Sequence, residues 1–259
     1  MTTDTSEKDV ASRVAQGVPG AWRAIVGLVE GGSIDRVDGL VITLTNIPDP
    51  QLNASFVERP PDDPAAALNL AASIFAAHGH RLSIDLPRGR HPDVERTVAD
   101  LGLEIAVSRP GMAAEIASVA PAAPPDGVEL LRVSGLRELR QFWEIQSAVF
   151  DMAPEVIRVY VPQATIFADG VTLFLARLNG KPVACCAAYE VEGSVGIFGV
   201  ATLPDVRRRG IGTAVTAAAV DDARARADLA WLQATEEGLP VYRGMGFSEV
   251  SDWDVWVLP

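Results

Sequence analysis

Along the second half of the chain the hydrophobic positions fall into short runs of strand length, interrupted by stretches with a helical period. Runs at 128–132, 171–178, 182–191, 197–203, 229–235, 247–250 and 253–258 predict strands, the second and third joined by a turn at Asn179-Gly180. Residues 134–150 and 152–161 predict helices, with Ser134 as the N-cap of the first. Ile211, Ala214, Val215 and Ala218 occupy one face of a further helix. The first half repeats the order more sparsely: strand 40–45, helix 64–78, strand 81–86, helix 92–101 and a last run at 101–108. Leu101-Gly102-Leu103 falls where Met245-Gly246-Phe247 falls in the second half, and Arg109-Pro-Gly-Met112 ends the run. Between the halves lies the Ala/Pro-rich stretch Val119-Ala-Pro-Ala-Ala-Pro-Pro-Asp126, read as a linker.

Composition agrees with two modest domains, since 259 residues with 48% hydrophobic side chains are enough for two cores. No run is long and apolar enough to predict a membrane span. Met1 to Asp9 is polar and acidic without an apolar signal core, which makes the cytoplasm the expected compartment. Cys185 and Cys186 are neighbours on a predicted strand, point to opposite faces, and read as core filling rather than a disulfide. The net charge is −12, with −6 in residues 1–125 and −6 in 126–259, so no basic arm exists for nucleic acid, and a cationic amine would be attracted.

The chemistry concentrates in Val200-Ala-Thr-Leu-Pro-Asp-Val-Arg-Arg-Arg-Gly-Ile-Gly-Thr213. An apolar strand ends at Pro204-Asp205, and Gly210 and Gly212 let backbone N–H groups turn outward. The helix that follows adds the free amides and positive dipole end that favour phosphate. A dinucleotide fingerprint would need a small residue where Val215 stands, and a P-loop would need Lys-Ser/Thr after the second glycine, so both readings fail. The plain alternative is that Arg207, Arg208 and Arg209 merely solvate a strand-to-helix turn.

Downstream come strand 229–235 and Glu236-Glu-Gly-Leu-Pro-Val-Tyr-Arg-Gly-Met-Gly-Phe247. With Arg207-x-x-Gly210-x-Gly212 followed by Tyr242-x-x-x-Gly246-Phe247, residues 126–259 resemble the GNAT family of N-acetyltransferases. The resemblance implies a mixed, mostly antiparallel α/β (α+β) sheet flanked by helices, and acetyl-CoA as acyl donor; the His and Cys spacing itself gives no metal site. It implies a catalytic domain at 127–259 behind linker 119–126. The similar order in 1–118 then reads as a degenerate GNAT-like copy in tandem. Its loop residues Asn46-Ile-Pro-Asp-Pro50 and Pro60-Pro-Asp-Asp63 hold no Gly-x-Gly and carry negative charge, so pyrophosphate is not expected there.

By the same resemblance Val200, Ala201 and Thr202 lend backbone groups to the pantetheine arm, and pyrophosphate sits on the amides of Arg208, Arg209, Gly210, Ile211, Gly212 and Thr213. Thr235 stands where an Asn often contacts the cofactor, and Tyr242 matches the tyrosine that protonates the leaving thiolate. An amine attacking the thioester directly needs an oxyanion donor, for which the Val200 amide is expected, and a base. Strand 197–203 carries no carboxylate, leaving Glu237, Glu236, Glu190 or a water relay. The expected partner is a small-molecule or peptide amine acting on a monomer or homodimer, and a non-catalytic acyl-CoA sensor is the alternative. Trp143, Phe150, Trp253 and Trp256 are candidates for lining an acceptor pocket or for core, whereas Trp231 reads as core. His78-x-His80 reads as a solvated turn rather than half a metal site.

Overall fold

The computed structural model describes residues 2–45, 47–49 and 52–259, with side chains from Lys8 onward; Asn46 and Pro50 of the first-half loop lie outside the described residues. The chain divides into two compact units, residues 1–111 with 250–259, and residues 112–249.

The first unit opens with α1 (Thr2–Leu28), which the sequence reading missed. Gly17, Pro19, Gly20 and Gly27 interrupt its pattern as turn residues would. Tertiary burial overrides them: Val14, Val18, Ala21, Trp22 and Ile25 form a buried stripe. Strands β1 (Ser33–Val37) and β2 (Leu40–Leu44) form a hairpin on Asp38-Gly39, both at positive φ. Strand β3 (Ala54–Val57), four residues long and also missed, precedes α2 (Pro64–Ala77), β4 (Ser83–Pro87), α3 (Pro92–Asp100) and β5 (Glu104–Glu115), whose residues from Met112 onward count with the second unit. Strand β3 runs parallel to β4, and α2 and α3 lie over them, burying Leu68, Phe75, Val94 and Val98 with Leu40, Ile42, Ile84 and Leu86.

The second unit contains β6 (Val128–Arg132), α4 (Leu136–Phe150), α5 (Pro154–Tyr160), β7 (Val171–Leu178), β8 (Lys181–Val191), β9 (Ser194–Thr202), α6 (Ile211–Ala223), β10 (Leu229–Gln233), α7 (Leu239–Gly244) and the start of β11 (Ser248–Val257). Strands β6 to β9 form an antiparallel meander, and β10 joins β9 in parallel. Helix α4 begins at Gly135 without a side-chain cap, so Ser134 is not its N-cap.

Two organisational expectations change. Residues 253–258 do not close the second sheet: Trp253–Val257 pairs antiparallel with β4 inside the first unit. Asp254, nearly fully buried, fixes that pairing. It accepts hydrogen bonds from Arg88 Nε and Nη2 at 2.8 and 2.7 Å and from Ser108 Oγ at 2.5 Å. The Arg88 guanidinium holds the Asp254 carboxyl below the usual carboxylate range. Residues 119–126 belong to the second unit rather than linking two units, because Val119 is buried and Ala122 packs on the same core. Arg224 donates to the carbonyls of Ile116 and Val119 at 2.9 and 3.1 Å, fixing the entry to that stretch.

Candidate active site

Strand β9 departs from its neighbours on both sides. Toward β8, Cys185 opposes Ala201 and Ala187 opposes Phe198, so Gly199 and Val200 together face the single Cys186 in a β-bulge. Gly199 takes φ +56, a conformation open to glycine. Toward β10 the pairing runs only from Ser194↔Leu229 to Gly196↔Trp231. The parallel pair therefore parts at its carboxyl ends, leaving Val200, Ala201 and Thr202 beyond the last paired position.

A residue that sequence reasoning missed braces the bulge. Gln146 of α4, buried, donates from its amide nitrogen to the Gly199 carbonyl at 2.5 Å and lies 3.2 Å from the Cys185 thiol. A Cβ on Gly199 would stand 3.0 Å from this amide, so glycine also makes room for it. Nothing distinguishes Gln146 in a helical pattern except that it is a polar residue on the apolar face. Cys185 and Cys186 are buried free thiols pointing oppositely, the first toward α4 and the second toward the Val215 carbonyl of α6. Burial pushes the Cys185 thiol up to about 12.

Beyond Thr202, a 3-10 turn at Pro204–Val206 leads into the loop, where Arg208 and Gly210 both adopt positive φ. Such alternation turns successive N–H groups to one side. Ala214 N is the first amide of α6 to find an intrahelical acceptor, the Gly210 carbonyl at 2.9 Å. The amides of Ile211, Gly212 and Thr213 therefore make up the open first turn, and no side chain caps it. A Cβ on Gly212 would meet the Thr202 hydroxyl at 3.3 Å, which keeps that approach narrow.

The three arginines differ. Arg207 turns back, donating to the Thr202 carbonyl at 3.1 Å and lying 3.5 Å from the Glu237 carboxylate. Arg208 and Arg209 are exposed, and among the described residues their guanidiniums make no ion pair. The loop thus offers free amides and two free cations, the chemistry of an anion cradle.

Tyr242 lies on α7, after a turn in which the Thr235 carbonyl and hydroxyl both accept from Gly238 N, at 2.9 and 3.2 Å. A Cβ on Gly238 would stand 2.8 Å from the Tyr242 ring, so that glycine makes room for the ring. Burial pushes the Tyr242 phenol well above its usual value, which keeps it protonated at neutral pH and able to donate.

The candidate bases are not gathered equally. Glu237 is 85% exposed and bonded to Arg207, and Glu236 is exposed. Glu190 sits at the other end of β8 from the bulge, bound to Arg226 at 2.6 Å. The aromatic candidates also separate: Trp143 lines a cleft between α4 and α5, and Phe150 is exposed at the end of α4. Trp253 is buried and Trp256 packs on the first unit's core. Trp231 is core, as expected, edge-on to Phe198 at 5.6 Å. His78 and His80 each place a ring nitrogen 3.0 Å from a backbone carbonyl, of Ile74 and Thr45.

Comparison with known proteins places this geometry. Residues 138–247 match the acetyltransferase (GNAT) family. A GCN5-related N-acetyltransferase from Kribbella flavida is 24% identical over 96% of this chain and 95% of its own, with a TM-score of 0.76. A tandem GNAT protein from the clavulanic acid biosynthesis pathway is 14% identical over 99% and 95%, at a TM-score of 0.65. A conserved protein of unknown function from Staphylococcus epidermidis is 13% identical over 89% and 95%, at 0.66. No curated protein matches the chain. The fold is mixed α/β with a mostly antiparallel sheet flanked by helices, and it is shared over nearly the whole chain, N-terminal half included, with these GNAT structures, a tandem GNAT protein among them.

Proposed function

We propose that the chain, whose residues 138–247 match the acetyltransferase (GNAT) family, is an acyltransferase that moves an acetyl group from acetyl-CoA to a primary amine by direct attack in a ternary complex. The observation that carries the reading is the parted β9–β10 pair ending on an uncapped helix with two free arginines. In this reading Val200, Ala201 and Thr202 bind the pantetheine arm through their backbone, and Thr235 flanks the cofactor. The amides from Arg208 to Thr213 hold the pyrophosphate, whose charge Arg208 and Arg209 balance.

The amine attacks the thioester carbonyl, the Val200 amide stabilises the oxyanion, and Tyr242 returns a proton to the departing thiolate. Gln146 keeps the bulge, and with it that amide, in position. A water relay ending at Glu237 removes the ammonium proton, since no carboxylate lies on β9 itself. The two free buried cysteines fit a reducing compartment, and we assign the protein to the cytoplasm. The test is release of free thiol from acetyl-CoA in the presence of a panel of amines. Amine-dependent thiol release supports transfer; saturable acetyl-CoA binding without turnover supports instead an acyl-CoA sensor.

A further inference from the structure

Between α4 and α5 in the second unit lies a cleft of about 660 Å³, lined by Arg140, Trp143, Glu144, Ser147, Pro154 and Arg158. That volume suits a small molecule. Its floor is held by backbone: Trp143 donates to the Val161 carbonyl at 2.8 Å and Ser147 to the Met152 carbonyl at 2.5 Å. The Arg158 guanidinium lies 6.0 Å from the Trp143 ring centre.

The charged groups of this cleft are unspent. Among the described residues Arg140 and Glu144 make no ion pair or hydrogen bond, although they lie one helical turn apart, and Arg158 has no carboxylate partner. Elsewhere in the same unit Arg132, Arg177, Arg224, Arg226 and Arg243 are paired with acids, whereas, among the described residues, Arg137 and the loop's Arg208 and Arg209 are not. Two unpaired guanidiniums beside one carboxylate leave the lining formally positive in a chain whose net charge is −12. The cleft and the β9 bulge share helix α4, which carries Trp143 and Ser147 on the cleft side and Gln146, the brace of the bulge, on its buried face.

We propose that this cleft binds a carboxylate of the acceptor, so that the substrate class is an amino acid or a peptide with a free carboxylate. Arg140 and Arg158 present planar donor forks matched to a carboxylate. Glu144, free in the same lining, opposes a doubly charged phosphate or sulfate and attracts an ammonium group, which selects a molecule carrying both a single carboxylate and an amine. Trp143 supplies an apolar face for the carbon skeleton between them. The word acceptor rests on the acyl-transfer reading; the carboxylate rests on the cleft alone.

The test uses the full chain and two matched libraries, amino acids and dipeptides with free carboxylates and the same compounds as C-terminal amides. Acylation is read as free thiol, and equilibrium binding is read separately by calorimetry. The expected result is at least a tenfold preference in kcat/KM and in affinity for one or more carboxylate members over their amides. The preference shrinks with added salt and is lost in Arg140→Ala/Arg158→Ala, whose acetyl-CoA affinity stays normal. Equal use of acids and amides, or a preference that survives in the double variant, overturns the proposal. A protein that binds acetyl-CoA and acylates amines but ignores carboxylates loses this cleft assignment and keeps the transfer reading. One that binds carboxylates through the two arginines but has no affinity for acetyl-CoA loses the transfer reading and keeps the cleft.

Discussion

Helices α2 and α6 each follow a strand that runs parallel to the next, β3 before β4 and β9 before β10, yet their first turns offer opposite things. At α2 every donor is taken. Asp63 accepts from the amides of Ala65 and Ala66 at 3.1 and 3.0 Å, Asp38 accepts from those of Asp62 and Asp63 at 2.8 and 3.2 Å, and Pro64 has no N–H. Two carboxylates of the chain already fill the place an external anion would need. At α6 the cap is Gly210, no side chain reaches the amides, and Arg208 and Arg209 add free positive charge.

The following helices repeat the lesson. Helices α3 and α7 end in the same hydrogen-bonded motif: Gly102 N to Ala99 O with Leu103 N to Val98 O, and Gly246 N to Arg243 O with Phe247 N to Tyr242 O. Both glycines take positive φ. The shared geometry marks equivalent positions, and at those positions the first unit has Val98, buried without any proton to give, where the second has Tyr242. Equivalent backbone thus carries different side chains in the two units.

The largest expected effect falls on that difference. Tyr242→Phe keeps the ring against Phe247 and removes the proton, so kcat with a good acceptor should drop about 10²-fold with acetyl-CoA affinity unchanged. Because the phenol's value is raised, wild-type kcat should show no loss from its ionisation up to about pH 10. A near-normal kcat, with chemistry shown to be rate-limiting, would remove Tyr242 from catalysis.

Gly212→Asp puts into α6 what Asp63 supplies to α2, a carboxylate at the amides, and acetyl-CoA affinity should fall at least tenfold, about 1.4 kcal/mol. Unchanged affinity in a folded variant would put the pyrophosphate elsewhere. Gln146→Ala should lower kcat by about tenfold while leaving acetyl-CoA affinity within a few-fold, since it frees the bulge carbonyl rather than the cradle. A loss confined to KM would contradict a positioning role.

The smallest effect is on the closed loop. The Asp38 carboxyl is held below its usual value by the Asp63 amide first and the Asp62 amide next, with Arg59 beside it. Its stabilising contribution is present above the unfolded value near 3.9 and is lost as pH falls through the lower folded one. Asp38→Asn should therefore lower the melting temperature at pH 7 and match wild type near pH 2. A deficit that does not shrink with acid would show that the charge is not what closes the loop.

Much of this contrast was legible in residue types. Glycines and arginines at 207–212 announce an open cradle, and Pro60-Pro-Asp-Asp63 announces a closed one. What could not be read was pairing at a distance. Strand β3 is four residues long and carries little pattern, so the closed loop's true place, directly after it, was hidden. The return of β11 to β4 depends on Arg88 meeting Asp254, 166 residues away in sequence. The bulge at Gly199 and its brace Gln146 likewise arise from strand register and helix packing, which no local pattern records.

The central claim is that only the open turn of α6 takes the acyl donor, and calorimetric titration of the full chain with acetyl-CoA tests it most directly. The account predicts one site per polypeptide, weakened at least tenfold by Gly212→Asp and indifferent to Asp38→Asn. Two sites per chain, or one site that persists unchanged in Gly212→Asp, would contradict it.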